Sequence, residues 1–129
     1  VGLAASDQEN DFAIFRLADV YLMKAEALVR MGSDNAEATR LINIIRARGF
    51  GDTNHNYTSV TLKNVEMERK FEMAWEMCSR QDNIRFGTFL DARFLKVKSE
   101  EYRKLFCVPQ DAWQTNNKLV QNPGYPAFY

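Results

Sequence analysis

The sequence has few of the residues from which zinc and disulfide-rich sites are built. It contains two cysteines, Cys78 and Cys107, and a single histidine, His55. The cysteines do not form a Cys-x-x-Cys pair, so a zinc site is not expected. Two cysteines also do not build a disulfide framework. We expect both to pack as apolar thiols, with one bridge between them as the alternative.

An excess of charge of one sign is also absent, because 17 Lys and Arg residues balance 17 Asp and Glu residues. A balanced chain offers no electrostatic basis for binding nucleic acid or an anionic membrane surface. No apolar run reaches the roughly 20 residues that a membrane-spanning helix needs. The first residues lack the basic start and apolar length of a signal peptide. We find no nucleophile–base pair and no Gly-rich phosphate loop, so we expect a protein without catalytic residues or a cofactor.

What the sequence does contain is the composition of a globular domain. Nine Phe, five Tyr and two Trp accompany ordinary amounts of aliphatic residues. A chain of 129 residues fits one domain, 1–129, which can bury roughly two-thirds of its unfolded surface.

Apolar residues recur at helical spacing near the start of the chain. The first such segment covers residues 14–29, and Gly32 follows where a helix stop is expected. Ser33 or Asp34 can cap a second helix, which ends near Gly49. The short connection predicts an αα-hairpin, and its small residues resemble a tetratricopeptide repeat.

Helical patterns continue beyond a polar loop that contains Asp52, Asn54, His55 and Tyr57, which we interpret as solvated. The predicted segments are 61–79, 83–94 and one further turn at 99–104. Because no strand pattern occurs, we expect an all-α fold. It has helical hairpins resembling tetratricopeptide repeats over residues 12–104 and an irregular extended C-terminal tail over residues 105–129.

Two tryptophans raise the question of ligand stacking. Trp75 shares the predicted apolar face with Phe71, so we interpret both as core residues. Their replacement by Ala is then expected to lower stability by ~3–5 kcal/mol. Trp113 follows a Pro-Gln pair and is also interpreted as a packing residue.

Three glutamates, Glu68, Glu72 and Glu76, lie four residues apart on one predicted helix face. An acid/base pair belongs on opposite walls of a cleft, which makes a helical hydrolase the weaker interpretation. We expect an ion-pair network instead, with Arg16 or Arg80 as a partner of Glu72 and Glu76.

Several blocks, taken in order, resemble the SusD/RagB family. The blocks are Arg16-Leu-Ala-Asp-Val-Tyr-Leu-Met-Lys-Ala-Glu-Ala-Leu28, Asn43-Ile-Ile-Arg-Ala-Arg-Gly49, Glu68-Arg-Lys-Phe-Glu-Met-Ala-Trp-Glu76 and Ser79-Arg-Gln-Asp-Asn-Ile-Arg-Phe-Gly87. A short apolar run, Leu105 to Val108, then precedes Pro109-Gln110 and the closing Gln121-Asn-Pro-Gly-Tyr125, as in the family's C-terminal signature.

The chain also departs from the family pattern at identifiable positions. Met77 stands where the family usually has Gly, Ser79 where it often has Arg, and Asn83 where it prefers Leu. Cys107 and Asn117 replace two prolines of the C-terminal signature. These differences concern local packing and leave the order of the blocks intact.

The resemblance implies a non-catalytic protein that binds oligosaccharides or similar nutrients at the bacterial cell surface. Such a protein delivers its ligand to a SusC-like TonB-dependent transporter. It sits on the extracellular face of the outer membrane, and we expect its lipid anchor upstream of this C-terminal portion. The resemblance does not identify the ligand-binding residues. A tetratricopeptide-like protein-interaction scaffold is the alternative.

Overall fold

The computed structural model describes residues 13–128, and their regular structure is helical. A 3-10 helix, Glu101–Lys104, accompanies five α-helices: α1 Leu17–Met31, α2 Asn35–Phe50, α3 Leu62–Glu72, α4 Ser79–Arg85 and α5 Gln110–Thr115. Within the described residues the only β pairing is an isolated bridge between Arg93 and Lys96. This architecture confirms the predicted all-α fold. The predicted start of the helical region, residue 12, lies outside the described residues.

The chain folds into two compact units, the first ending at Met77 and the second beginning at Cys78. The expectation of one domain over residues 1–129 stays a prediction. No helix in the described range is both long enough and apolar enough to cross a membrane.

Local sequence signals set the C-terminal end of α1 and the start of α2, as predicted. Gly32 adopts a left-handed φ of 62° at the end of α1, and its N–H donates to the carbonyls of Leu28 and Val29. Asp34 caps α2, because its side chain accepts a hydrogen bond from the Glu37 N–H at 2.9 Å. The three-residue connection forces α1 and α2 into a hairpin, and α3 packs mainly against α1.

The core of the first unit is formed by apolar residues at the helical spacing seen in the sequence. Its buried apolar residues are Leu22, Ala25, Ala38, Leu41, Ile42, Ile45, Val60, Val65 and Met73. Val60 lies at the end of the polar loop and packs into the core, just before Thr61 forms the capping box at the start of α3.

The third helix is shorter than predicted, and this corrects the assignment of two aromatic residues. It ends at Glu72, and the following turn places Trp75 and Met77 at left-handed φ values of 68° and 60°. Past the helix end, side chains no longer follow the helical period, so Met73 is buried while Trp75 is 98% exposed. Phe71 is 64% exposed. The core assignment of Phe71 and Trp75 was wrong, and replacing either by Ala is now expected to change stability by only about 0.5 kcal/mol.

The second unit contains less helix than predicted. The segment expected at 83–94 is helical only to Arg85, because Gly87 adopts a φ of 77°. The Asn83 carbonyl then accepts hydrogen bonds from the N–H groups of Thr88 and Phe89, which turns the chain away from the helix axis. The predicted turn at 99–104 is confirmed as the 3-10 helix.

The closing Gln-Asn-Pro-Gly-Tyr segment, residues 121–125, folds back onto the start of the tail. The Gln121 side chain accepts a hydrogen bond from the Val108 N–H at 2.8 Å and donates to the Val108 carbonyl at 3.1 Å. Asn122 donates to the Phe106 carbonyl, and the Tyr125 hydroxyl donates to the Leu105 carbonyl, both at 2.7 Å. We call this arrangement the tail clasp. It gives an irregular segment the backbone partners that a helix would supply internally.

Neither Cys78 nor Cys107 forms a disulfide. Cys78 is half-buried, which agrees with a packing role, whereas Cys107 is exposed and the packing prediction for it was wrong. Trp113 is half-buried and stacks on Phe128 with ring centroids 5.1 Å apart, which agrees with its predicted packing role.

Candidate functional site

The polar centre of the first unit is the Arg16 guanidinium, just before α1. Its Nε and one terminal nitrogen donate to the Glu76 carboxylate at 2.9 and 2.7 Å, and the other terminal nitrogen donates to Glu72 at 2.8 Å. A further bond reaches the Glu72 carbonyl at 3.0 Å. These carboxylates raise the pKa of Arg16, with the hydrogen bond to Glu76 as the larger cause. Arg16 therefore stays charged and fixes the turn that follows α3.

The remaining member of the glutamate row also has an arginine partner. Glu68 accepts a hydrogen bond from Arg46 at 2.8 Å, and both side chains are largely buried. Arg48 pairs with Glu72 as well, so two arginines share that carboxylate. The predicted ion-pair network is confirmed, with Arg16 as the partner of Glu72 and Glu76. The second unit contains Arg80, the other predicted partner.

Arg80 contacts aromatic rings and backbone carbonyls within the second unit. Its guanidinium lies over the rings of Phe89 and Phe106, 4.7 and 4.1 Å from their centroids. It also donates to the backbone carbonyls of Arg103 and Lys104 at 3.2 and 2.9 Å. The side chain thus joins α4 to the beginning of the tail.

The glutamate row does not form the two-walled cleft that acid/base catalysis requires. Glu68 and Glu72 lie on one helix, and Glu76 lies on the turn that follows it. Their arginine partners come from the residue before α1 and from α2. This arrangement ties three segments of the first unit together and leaves no opposing carboxylate wall among the described residues.

A groove opens beside this network, between the end of α2 and the end of α3. Its volume is about 260 Å³, and it is lined by Ile45, Arg46, Gly49, Phe50, Glu68, Phe71 and Glu72. We call it the phenylalanine groove, because its apolar walls are Phe50 and Phe71, which are 52% and 64% exposed. Ile45, which is only 4% exposed, forms part of the core beneath it.

The polar loop between α2 and α3 fixes one side of this region. The Asn43 side chain donates to the Tyr57 carbonyl and accepts from the Tyr57 N–H, both at 2.8 Å. Arg46 donates to the His55 carbonyl at 2.7 Å and lies over the Tyr57 ring, 4.1 Å from its centroid. His55 stacks on Phe50 with centroids 4.1 Å apart. The loop is therefore ordered by α2, which its polar composition did not reveal.

The loop residues singled out in the sequence have mixed environments. Asp52, Asn54 and His55 are exposed, as expected for a solvated loop, whereas Tyr57 is half-buried. The pKa of Asp52 lies below its ordinary value, because its carboxylate accepts a hydrogen bond from the Asn54 N–H and a weaker one from His55.

The chain is similar in sequence to known proteins. Residues 3–102 match the profile of the SusD family. The chain belongs to the SusD family. It is 30% identical over 130 aligned residues, 94% of its length, to the starch-binding protein SusD of Bacteroides thetaiotaomicron. It is 38% identical over 99 residues, 70% of its length, to a SusD-like protein of Formosa agariphila.

A solved structure shares the fold of this chain. A candidate sugar-binding protein from Bacteroides vulgatus superposes on 88% of the chain with a TM-score of 0.70 and 30% identity. The relatives are much longer. The chain spans 23% and 17% of the two curated proteins and 28% of the solved structure.

Proposed function

We propose that this chain is part of a non-catalytic, surface-exposed protein that binds oligosaccharides or similar nutrients. The observation that carries the proposal is the SusD-family match over residues 3–102, together with 30% identity to a starch-binding protein across nearly the whole chain. The chain contributes a segment of such a protein, since its relatives are several times longer.

The exposed aromatic residues support this proposal. Phe71 and Trp75 are 64% and 98% exposed. The C–H faces of a pyranose ring pack well on aromatic rings, and rings held by a rigid backbone lose little entropy on binding. Balanced charge also suits a ligand recognised through hydroxyl groups better than a nucleic acid.

The location and partner of the full protein form the second part of the proposal. We propose that it sits on the extracellular face of the outer membrane, held by a lipid anchor upstream of residue 1. There it delivers its ligand to a SusC-like TonB-dependent transporter. Co-purification of the transporter with the full-length protein tests this part separately from glycan binding. Failure to co-purify under mild detergent extraction would count against it.

Binding of the isolated 129-residue chain to a panel of neutral and acidic oligosaccharides tests the first part. Isothermal titration calorimetry should detect binding to at least one member, and chromatography of the mixture should detect no shortened products. Glu72→Gln and Glu76→Gln should leave the absence of hydrolysis unchanged. Hydrolysis that either substitution abolishes would contradict a non-catalytic role.

One observation favours a second candidate function, the binding of peptides. The α1–α2 hairpin is the unit from which tetratricopeptide scaffolds are built, and such scaffolds bind peptides. Saturable binding of a peptide library in the absence of binding to every oligosaccharide would favour this protein-interaction role.

A further inference from the structure

The phenylalanine groove combines three features that suit a bound sugar. It is concave, it has exposed aromatic walls, and it has fixed charged groups at its base. We infer that this groove is a subsite for one neutral pyranose ring of a bound oligosaccharide. The inference rests on the proposed function, because it takes the ligand to be a glycan.

Phe71 is the ring best placed to stack on the sugar. It lies in the last turn of α3, beside Glu72, whose carboxylate is held by Arg16 and Arg48. The helix and these ion pairs fix its backbone, while 64% of the residue remains open to solvent. An exposed phenylalanine on a rigid support is costly in water, and packing against a C–H face would remove part of that cost.

Phe50 forms the opposite wall and is itself held in place. His55 stacks on its ring with an interplanar angle of 10°, and the Arg46 guanidinium lies 5.1 Å from the ring centroid. His55 covers one face of the Phe50 ring, so this ring has less surface to offer a sugar than Phe71 has. We therefore assign stacking to Phe71 and a lateral contact to Phe50.

The polar groups of the groove match the hydroxyl groups of a sugar. Each carboxylate of Glu68 and Glu72 has about four acceptor positions, so arginine pairing leaves room for sugar O–H donors. Arg46 supplies N–H donors for sugar oxygens. Because Arg46 and Glu68 already hold each other at 2.8 Å, they need little rearrangement on binding.

The charge of the lining indicates that the sugar is neutral. The lining carboxylates Glu68 and Glu72 are each paired with arginine, Glu68 with Arg46 and Glu72 with Arg16 and Arg48. A uronate or sulfate group placed there would have to compete with these carboxylates for the same guanidinium groups, which disfavours it. Neutral hexoses can use the remaining hydrogen-bonding positions without breaking the ion pairs.

Gly49 allows the groove to be closed without disturbing the core. It lines the groove, and a Cβ built at Gly49 meets no atom within 4 Å. The residue lies in the last turn of α2, where Leu is a better helix former than Gly. Gly49→Leu should therefore narrow the groove while the melting temperature stays the same or rises.

The test uses the 129-residue chain and the neutral oligosaccharide of the panel that binds most tightly, beginning with maltohexaose. Calorimetry should show that Phe71→Ala and Gly49→Leu each weaken binding roughly tenfold. Phe94→Ala is the matched control, because Phe94 is equally aromatic, 92% exposed and absent from the groove lining. It should bind like the unmodified chain, and all three variants should keep a normal melting temperature. An oligogalacturonate of the same length should bind more weakly than the neutral ligand.

The outcomes separate the subsite from the proposed function. If the chain binds a neutral oligosaccharide and neither groove variant weakens binding, the subsite is wrong and glycan binding stands. If only acidic oligosaccharides bind, the neutral subsite is again wrong. If only the full-length protein binds an oligosaccharide, the subsite on this chain is wrong and the proposed function stands. If the full-length protein binds none either, the proposed function fails and the subsite fails with it.

Discussion

The two units of the chain are stabilised by different means. Nine of the ten buried apolar residues of the described structure belong to the first unit, and only Leu90 belongs to the second. The second unit relies instead on side chains that bind backbone groups, such as those of Arg80, Gln121 and Asn122. A helix satisfies its own backbone, whereas an irregular segment needs side chains for the same purpose.

This difference explains what the closing signature does in this chain. Gln121, Asn122 and Tyr125 each bind a backbone group of residues 105–108. Gly124 adopts a φ of 88° and lies directly against the Tyr102 ring. These residues hold the tail in place, so their role in this chain is structural.

The largest effect is expected in the apolar core of the first unit. Leu41 is 1% exposed, and Leu41→Ala should lower the free energy of unfolding by about 2–5 kcal/mol through lost burial and a residual cavity. Urea denaturation followed by far-UV circular dichroism measures this loss. Phe94→Ala, at a 92% exposed position, should change stability little. Equal losses in both variants would contradict the assignment of the core.

A smaller loss of stability, confined to the second unit, is expected when the tail clasp is altered at Gly124. A Cβ at Gly124 would lie 2.5 Å from Tyr102 Cγ, and φ is already left-handed. Gly124→Ala should therefore destabilise the second unit by about 2–3 kcal/mol. In a Trp75→Phe background the fluorescence of Trp113 reports this unit.

The matched control for that clash is Gly51→Ala. Gly51 has a φ of 78° with no atom within 4 Å of a Cβ, so it carries the backbone strain without the clash. It should cost about 1 kcal/mol. A Gly124 variant no worse than the Gly51 variant would show that contact with Tyr102 is unimportant.

Breaking the arginine–glutamate network should have an intermediate effect. Glu72→Gln removes the carboxylate charge that Arg16 and Arg48 share. The Arg16 side chain is 26% exposed and that of Arg48 is 63% exposed. Because both arginines are partly solvated, we expect a loss of about 1–2 kcal/mol in a thermal melt. Glu101→Gln, which alters an exposed pair with Lys104, is the control and should have almost no effect. An unchanged melting temperature for Glu72→Gln would mean that the network contributes little to stability.

The smallest change in stability is expected at Met77, where the chain departs from the family pattern. Met77 stands where the family usually has Gly, and its φ of 60° is one that Gly adopts without strain. Met77→Gly should therefore stabilise the chain by about 0.5–1 kcal/mol. Met77→Ala keeps the Cβ and should give no such gain. If both variants behave alike in thermal melts, the left-handed conformation carries no measurable strain.

The sequence predicted the parts of the fold that depend on nearby residues. The hairpin of α1 and α2 followed from apolar spacing, Gly32 and Asp34. The end of α3 was missed, because the apolar period continues through Trp75 while Met73 turns into the core. The hydrophobic pattern alone does not distinguish a continuing helix from a turn with left-handed residues.

The phenylalanine groove could not be read from the sequence for a different reason. Its walls come from residues 45–50 and 68–72, which α2, the polar loop and α3 bring together. The glutamates and Arg16 were identified in the sequence, but Arg46 and Arg48, which lie 22 and 24 residues before their partners Glu68 and Glu72, were not. Only the exposed Phe50 at the end of α2 offered a signal, and a terminal aromatic of this kind is common in helical proteins.

Hydrogen exchange tests the contrast between the two units most directly. Amides of α1 and α2 should exchange most slowly, because they pack on the apolar core. Amides from Val108 to Gln121 should exchange faster than these helices and more slowly than a free peptide, because the tail clasp orders them. Exchange of Val108 at the rate of a free peptide would contradict an ordered tail clasp, and protection equal to that of α1 would contradict the difference between the units.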